Sequence, residues 1–175
     1  AHADIAQSSG DPLRHYIEYG AKEGRNPNPF FDSVWYLEQY ADVRESGSNP
    51  LAHFADFGEK AGRSPGPLFD VLWYKRQRRD AADELTLTHY LEVGRFEGLS
   101  PHPFFDLAWY ARIRPDAVAA GQSLAEHYLQ YGEQEGSFPN PYFSPHWYRE
   151  RYGDAAGVSP LLHFALHGVR EGRDP

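Results

Sequence analysis

The sequence predicts an all-α fold of tandem helical hairpins, a short-helix, solenoid-like array with about 37 residues per repeat. Four observations predict it. Trp35, Trp73, Trp109 and Trp147, each followed by Tyr (Tyr36, Tyr74, Tyr110, Tyr148), recur at spacings of 38, 36 and 38 residues. His followed by Tyr or Phe recurs in the same phase at His15, His53, His89, His127 and His163. Each His has one Gly five residues later (Gly20, Gly58, Gly94, Gly132, Gly168) and another after nine (Gly24, Gly62, Gly98, Gly136, Gly172). Pro-x-Pro pairs begin at Pro27, Pro65, Pro101 and Pro139. Coincidence does not hold so many markers in phase.

The copies run 28–65, 66–101, 102–139 and 140–175. Residues 1–27 match the second half of a copy, with Asp4 in the place of Asp42, Pro12 of Pro50 and His15 of His53. The expectation is one continuous repeat domain that starts in mid-repeat and belongs to a larger protein, because a solenoid ordinarily closes its end with a polar cap.

In the first half of each copy, Asp32, Asp70, Asp106 and Ser144 stand where a helix N-cap belongs. Asp and Ser share N-capping and little else, so their exchange argues for a cap and against a catalytic or metal-binding carboxylate. Ser144 is followed by Pro145, the residue preferred at the first helical position. Phe31, Phe69, Phe105 and Phe143, just before the cap, form hydrophobic-staple pairs with the Tyr that follows Trp. The second half opens with a cap at Asp11, Asn49, Leu85, Ser123 or Ser159, and in the copy with Leu85 the cap is expected to move to Thr86. Leu51, Phe54 and Phe57 then have helical spacing. One of the two glycines is expected to take a left-handed cap conformation, the other to permit close helix contact.

Helices of about 8–12 residues are marginal alone, so each must bury an apolar stripe against its neighbours. The four Trp are the expected repeat-junction centres, and Trp35→Ala or its equivalents should cost about 3–5 kcal/mol. The five phased His are placed at the same junctions, bonded to a backbone carbonyl or a cap. Tyr16, Tyr19, Tyr131 and Tyr152 are the candidate ligand-binding rings, against the competing reading that such rings fill the core.

Composition narrows the chemistry. Lys and Arg number 17 against 25 Asp and Glu, a net charge of -8 that opposes general nucleic-acid binding. The run Lys75-Arg76-Gln77-Arg78-Arg79 reads as a solvated helix face and not an anion site, since no other copy repeats it. Without Cys there are no disulfides or thiolate metal ligands. No second His accompanies each phased His at a ligand spacing, so no metal is expected. No phosphate loop, nucleophile elbow, metalloprotease helix or EF-hand is present, and equivalent carboxylates offer no division into acid and base. The chain is read as no enzyme and as needing no cofactor. No apolar run approaches the ~20 residues that cross a bilayer, so no membrane insertion is expected.

The pattern Asn-Pro-Phe-Phe-Asp-Ser-Val-Trp-Tyr-Leu-Glu-Gln-Tyr-Ala-Asp-Val of residues 28–43, with Asp-Pro-Leu-Arg-His-Tyr-Ile-Glu-Tyr-Gly-Ala-Lys-Glu-Gly-Arg-Asn-Pro of residues 11–27, resembles a known class of tandem repeat. Such repeats occur beside bacterial glycosyltransferase domains and in some large secreted bacterial proteins. The resemblance covers the whole chain and implies a bacterial source and an accessory region. It carries no catalytic residues. This sequence departs from the pattern at Arg78 and Arg114 (for the second Tyr), Ala61 (for Glu), and Leu99 and Ser137 (for Arg).

The expected function is a non-catalytic binding or scaffolding module whose partner is a protein or a polysaccharide, tied by the resemblance to surface-polysaccharide glycosyltransferases. The alternatives are a carbohydrate-binding module working through surface aromatics and, third, a metal-stabilised secreted adhesin segment. The compartment follows the context: cytoplasmic if glycosyltransferase-linked, otherwise secreted or at the cell surface.

Overall fold

Where Asp or Ser precedes an apolar, Trp-bearing segment, the chain turns helical. The computed structural model describes residues 15–78 and 85–175. Its helices are α1 (Ser33–Gln39), α2 (Ala41–Ser46), α3 (Pro50–His53), α4 (Val71–Gln77), α5 (Thr86–His89), α6 (Leu107–Ile113), α7 (Pro115–Ala119), α8 (Leu124–His127), α9 (Pro145–Arg151), α10 (Pro160–His163) and α11 (Val169–Glu171). No strand forms among the described residues, so the fold is all-α. The chain divides into two compact units, residues 1–66 and 67–175.

The first helix of each copy is capped alike. Asp32, Asp70 and Asp106 accept from the backbone N–H of Trp35, Trp73 and Trp109 at 3.0, 2.9 and 2.8 Å, and Ser144 Oγ accepts from Trp147 N at 3.3 Å. In the second half, Asn49 Oδ1 accepts from Leu51 N and Ala52 N, and Ser159 Oγ from Leu162 N. Thr86 does not become the cap: it is the first residue of α5, and Leu85 stands at the cap with no side-chain bond. Ser123 likewise makes no capping bond. Asp4, Asp11 and Pro12 lie outside the described residues.

The second half is not a plain α-helix. Each of α3, α5, α8 and α10 runs into a π-helical turn, at Phe54–Gly58, Tyr90–Gly94, Tyr128–Gly132 and Phe164–Gly168, and Tyr16–Gly20 forms the same turn. Bonds from Glu59 N to Phe54 O and from Glu133 N to Tyr128 O, both 2.9 Å, span the wider ring of a π turn. The left-handed glycine is the one nine residues after His: Gly62 has φ +72° and Gly172 +65°. Any other residue there would strain the backbone.

The largest departure from expectation concerns the Trp. Tyr36, Tyr74 and Tyr148 are 0% exposed and Tyr110 1%, whereas Trp147 is 41% exposed and Trp35, Trp73 and Trp109 are partly exposed. The buried place expected of the indoles belongs to the next residue, and it lies within the copy: Tyr36 packs on Phe31 and Phe54, and Tyr148 on Phe143 and Phe164. Counted from the cap, Trp is the third helical residue and Tyr the fourth. The fourth leans back over the residue before the cap, which is the staple geometry. Phe31 accordingly packs on Tyr36 (5.6 Å between centroids), Phe69 on Tyr74 (5.5 Å) and Phe143 on Tyr148 (5.4 Å). Successive residues point about 100° apart around a helix, so both cannot face the core.

In the first three copies the closing proline binds the copy's own cap. Asp32 N donates to Pro65 O (3.0 Å), Asp70 N to Pro101 O (2.9 Å) and Asp106 N to Pro139 O (2.9 Å). The residue between the prolines caps the next turn: Asn28 Oδ1 accepts from Phe30 N and Phe31 N, and Asn140 Oδ1 from Tyr142 N and Phe143 N. His102 does this with Nδ1, accepting from Phe104 N at 3.2 Å while its ring packs on Phe104.

Burial pulls the His102 pKa down to about 4, against a smaller opposing pull from Asp70. The folded state thus favours neutral His102, so its contribution to stability is present above pH 6.5 and is lost as the pH falls toward 4. His102→Asn, which puts the residue of Asn28 and Asn140 at this place, should flatten the melting temperature over that interval. A pH series of thermal melts of both proteins measures it.

Candidate interaction surface

The Tyr that fills each core also organises the second half of its copy. The hydroxyls of Tyr36, Tyr74, Tyr110 and Tyr148 bond to Nδ1 of His53, His89, His127 and His163 at 3.1, 2.8, 2.8 and 3.1 Å. Four of the five phased His therefore meet a phenol through Nδ1, where a backbone carbonyl or cap was expected. Burial raises the Tyr36 and Tyr110 hydroxyls to about 12. The same hydroxyls lie against Gly58, Gly94, Gly132 and Gly168, where a Cβ would overlap the oxygen. The signature of His with Gly five residues on is thus the imprint of one phenol: a nitrogen to bond it and a missing side chain to admit it.

One residue before that Gly, the π turn turns a side chain outward. Tyr19 is 55% exposed, Phe57 66%, Val93 40% and Tyr131 44%, and His167 is exposed at the same register. The rings of Tyr19, Phe57, Tyr131 and His167 pack on His15, His53, His127 and His163, with centroids 5.0–5.8 Å apart. Each outward ring therefore rests on an imidazole, and three of those imidazoles are fixed by a buried phenol. Sequence reasoning found Tyr19 and Tyr131 but missed Phe57 and Val93. Their common register, four after His, was the available signal.

The other two candidate rings are taken up by packing and hydrogen bonds within the chain. Tyr16 is 7% exposed and bonds Ser33 Oγ through its hydroxyl at 2.7 Å. Tyr152 is half-buried: its ring packs on Tyr148, Arg173 lies over it at 4.8 Å, and its hydroxyl accepts from Asp174 N at 3.1 Å.

Tyr152 belongs to a polar clasp that joins the first helix to the closing turn. Arg173 forms two bonds to Asp154, both 2.7 Å, and Arg63 forms two to Asp42 while lying 4.7 Å over Tyr40. In the third copy Arg114 replaces the Tyr and Ser137 replaces the closing Arg. Arg114 then supplies the guanidinium itself, reaching Asp116, Glu135 and Ser137 Oγ. In the second copy Gln77 binds both backbone groups of Ser100. The guanidinium bonds hold Asp116 and Asp154 down to about 2. These carboxylates are spoken for as structural partners.

Within residues 67–175, consecutive copies also grip one another. Arg95 pairs with Glu126 at 2.7 Å; buried Glu133 accepts from Ser159 Oγ (2.9 Å) and Leu161 N (3.1 Å); Asn140 Nδ2 donates to Phe104 O (2.8 Å). An aromatic cleft of about 350 Å³ lies here, lined by Phe104, Tyr142, Phe143, Phe164 and prolines, with Asp106 and Asn140 at its polar side. A second cleft, of about 420 Å³, brings His163 and His167 near Asp154 and Glu171. Among the described residues no group of three or more His, Asp or Glu is placed to hold a metal ion. No helix there is long and apolar enough to cross a membrane.

No family model, curated protein or solved structure matches this chain.

Proposed function

We propose that the chain is a non-catalytic helical-repeat binding module, each copy offering a partner one outward side chain. The observation that carries this is the series Tyr19, Phe57, Val93 and Tyr131, exposed at one register of the π turns and followed there by His167. Scattered exposed apolar residues need no explanation, but recurrence at a supported position does. Because Val93 occupies the series as readily as an aromatic, the contact shared by four of the five positions is apolar burial, which suits a protein segment. The bacterial, glycosyltransferase-linked context rests on the resemblance of the repeats, and in that setting the module recruits or positions a component of surface-polysaccharide assembly.

A polysaccharide partner is the second reading, favoured by the cleft at Phe104, Tyr142 and Phe164 and by the phenols of Tyr19 and Tyr131. Both readings are testable with Phe57→Asp, Val93→Asp and Tyr131→Asp combined in one variant. Cross-linking and affinity capture from the source cell should lose the partner with this variant, while its circular dichroism is retained. Undiminished capture would end the proposal. Calorimetry with a glycan panel separates the readings: heat that vanishes in Tyr19→Ala and Tyr131→Ala assigns the series to sugar.

A further inference from the structure

In residues 67–175 the partly exposed Trp faces carry a charge opposite to that of the chain. The three Trp-bearing helices α4, α6 and α9 hold Lys75, Arg76, Arg112, Arg149 and Arg151, all exposed, and a single acid, Glu150, which sits 3.2 Å from His146. The corresponding helix of the other unit, α1, has no cation and one acid, Glu38. Two of the cations are placed by the indoles themselves: the Arg76 guanidinium lies 5.8 Å over Trp73, and that of Arg112 lies 5.4 Å over Trp109. Trp147 is 41% exposed, with Arg149 and Arg151 on the same helix. The caps Asp70 and Asp106 are engaged by backbone N–H groups. The basic run near Arg76 is thus matched in the copies that follow by cations on the same helix, and each accompanies an indole.

We infer that the Trp faces of α4, α6 and α9 bind an acidic polysaccharide of uronic-acid type, with indoles against sugar faces and Arg76, Arg112, Arg149 and Arg151 pairing the carboxylates. Charge complementarity selects an anionic partner, since these helices are basic in a chain of net charge -8. The density of charge selects the polymer. A nucleic acid presents one phosphate per about 1.7 Å of duplex axis, more than this sparse set of cations neutralises against an acidic body. A polyuronate carries one carboxylate per sugar, and its rings offer flat C–H faces to a partly exposed indole. Arg is suited to the role because its planar fork meets a carboxylate with two hydrogen bonds.

The inference rests on the binding-module reading but uses none of the outward residues of the π turns, so the two fail separately. The probe is polygalacturonate, titrated against the whole chain by Trp fluorescence and calorimetry at two salt concentrations. Binding that weakens with salt is expected, with a loss of about tenfold in Arg76→Gln/Arg112→Gln. Trp147→Ala should weaken it as well, and the Phe57→Asp/Val93→Asp/Tyr131→Asp variant should bind as the parent does. Unaltered melting of the surface variants shows that folding is not the cause. Absence of binding, equal binding of the fully methyl-esterified polymer, unchanged affinity in the Arg variant or a preference for single-stranded DNA would each overturn the inference.

Discussion

Tyr148→Ala should cost about 3–5 kcal/mol, whereas Trp147→Ala, one residue earlier and the larger deletion, should cost about 1 kcal/mol. Tyr148 is 0% exposed, packed between Phe143 and Phe164, with its hydroxyl on His163. Removing it opens a ring-sized hole and leaves a buried imidazole nitrogen without its partner, an added penalty of about 1–3 kcal/mol if water does not enter. Trp147 keeps much of its surface in water and loses correspondingly less. Both residues lie in one compact unit, so their urea midpoints, compared at unchanged slope, are a like-for-like measure. A larger loss at Trp147 would show that the indole, and not the phenol, centres the copy.

Gly132→Ala should destabilise by about 1–3 kcal/mol, although helix propensity alone predicts a gain of up to about 1 kcal/mol. Gly132 has helical backbone, so Ala meets no conformational obstacle. What it meets is the Tyr110 hydroxyl, which occupies the space of the new methyl. Tyr110→Phe removes that oxygen and gives up the His127 bond, worth about 1 kcal/mol. The double variant should therefore be more stable than the sum of the two single losses predicts, and a double-mutant cycle on chemical denaturation reads the coupling directly. Additive losses would mean that the oxygen is not the obstacle.

Much of the local architecture was legible in the sequence because caps are chemical and local. Asp32, Asp70, Asp106 and Ser144 announce themselves through the only property they share. The choice between Trp and Tyr was not legible from size or hydrophobicity, which favour burying Trp. It follows from counting positions from the cap, and the count places Tyr over the staple Phe. The π turn was hidden because the apolar spacing of Leu51, Phe54 and Phe57 reads equally well as an α-helix. Of the candidate rings, Tyr19 and Tyr131 face out and Tyr16 and Tyr152 do not, since burial of a ring depends on what packs over it. The register of Phe57 and Val93 was not legible from residue type, because it carries phenol, phenyl, alkyl and imidazole side chains with no shared chemistry.

The clasp limits where such a chain can be cut and rejoined. Its guanidinium comes from the closing turn at Arg63 and Arg173 but from the first helix at Arg114. A hybrid that joined the front of the third copy to the back of the first would set Arg114 against Arg63, two like charges at one site. The reverse hybrid would set Tyr40 against Ser137 and have no cation at all. Whole copies exchanged at the prolines would keep each guanidinium with its carboxylates, so the workable cut for a chimaera is at the prolines and not between the two halves of a copy.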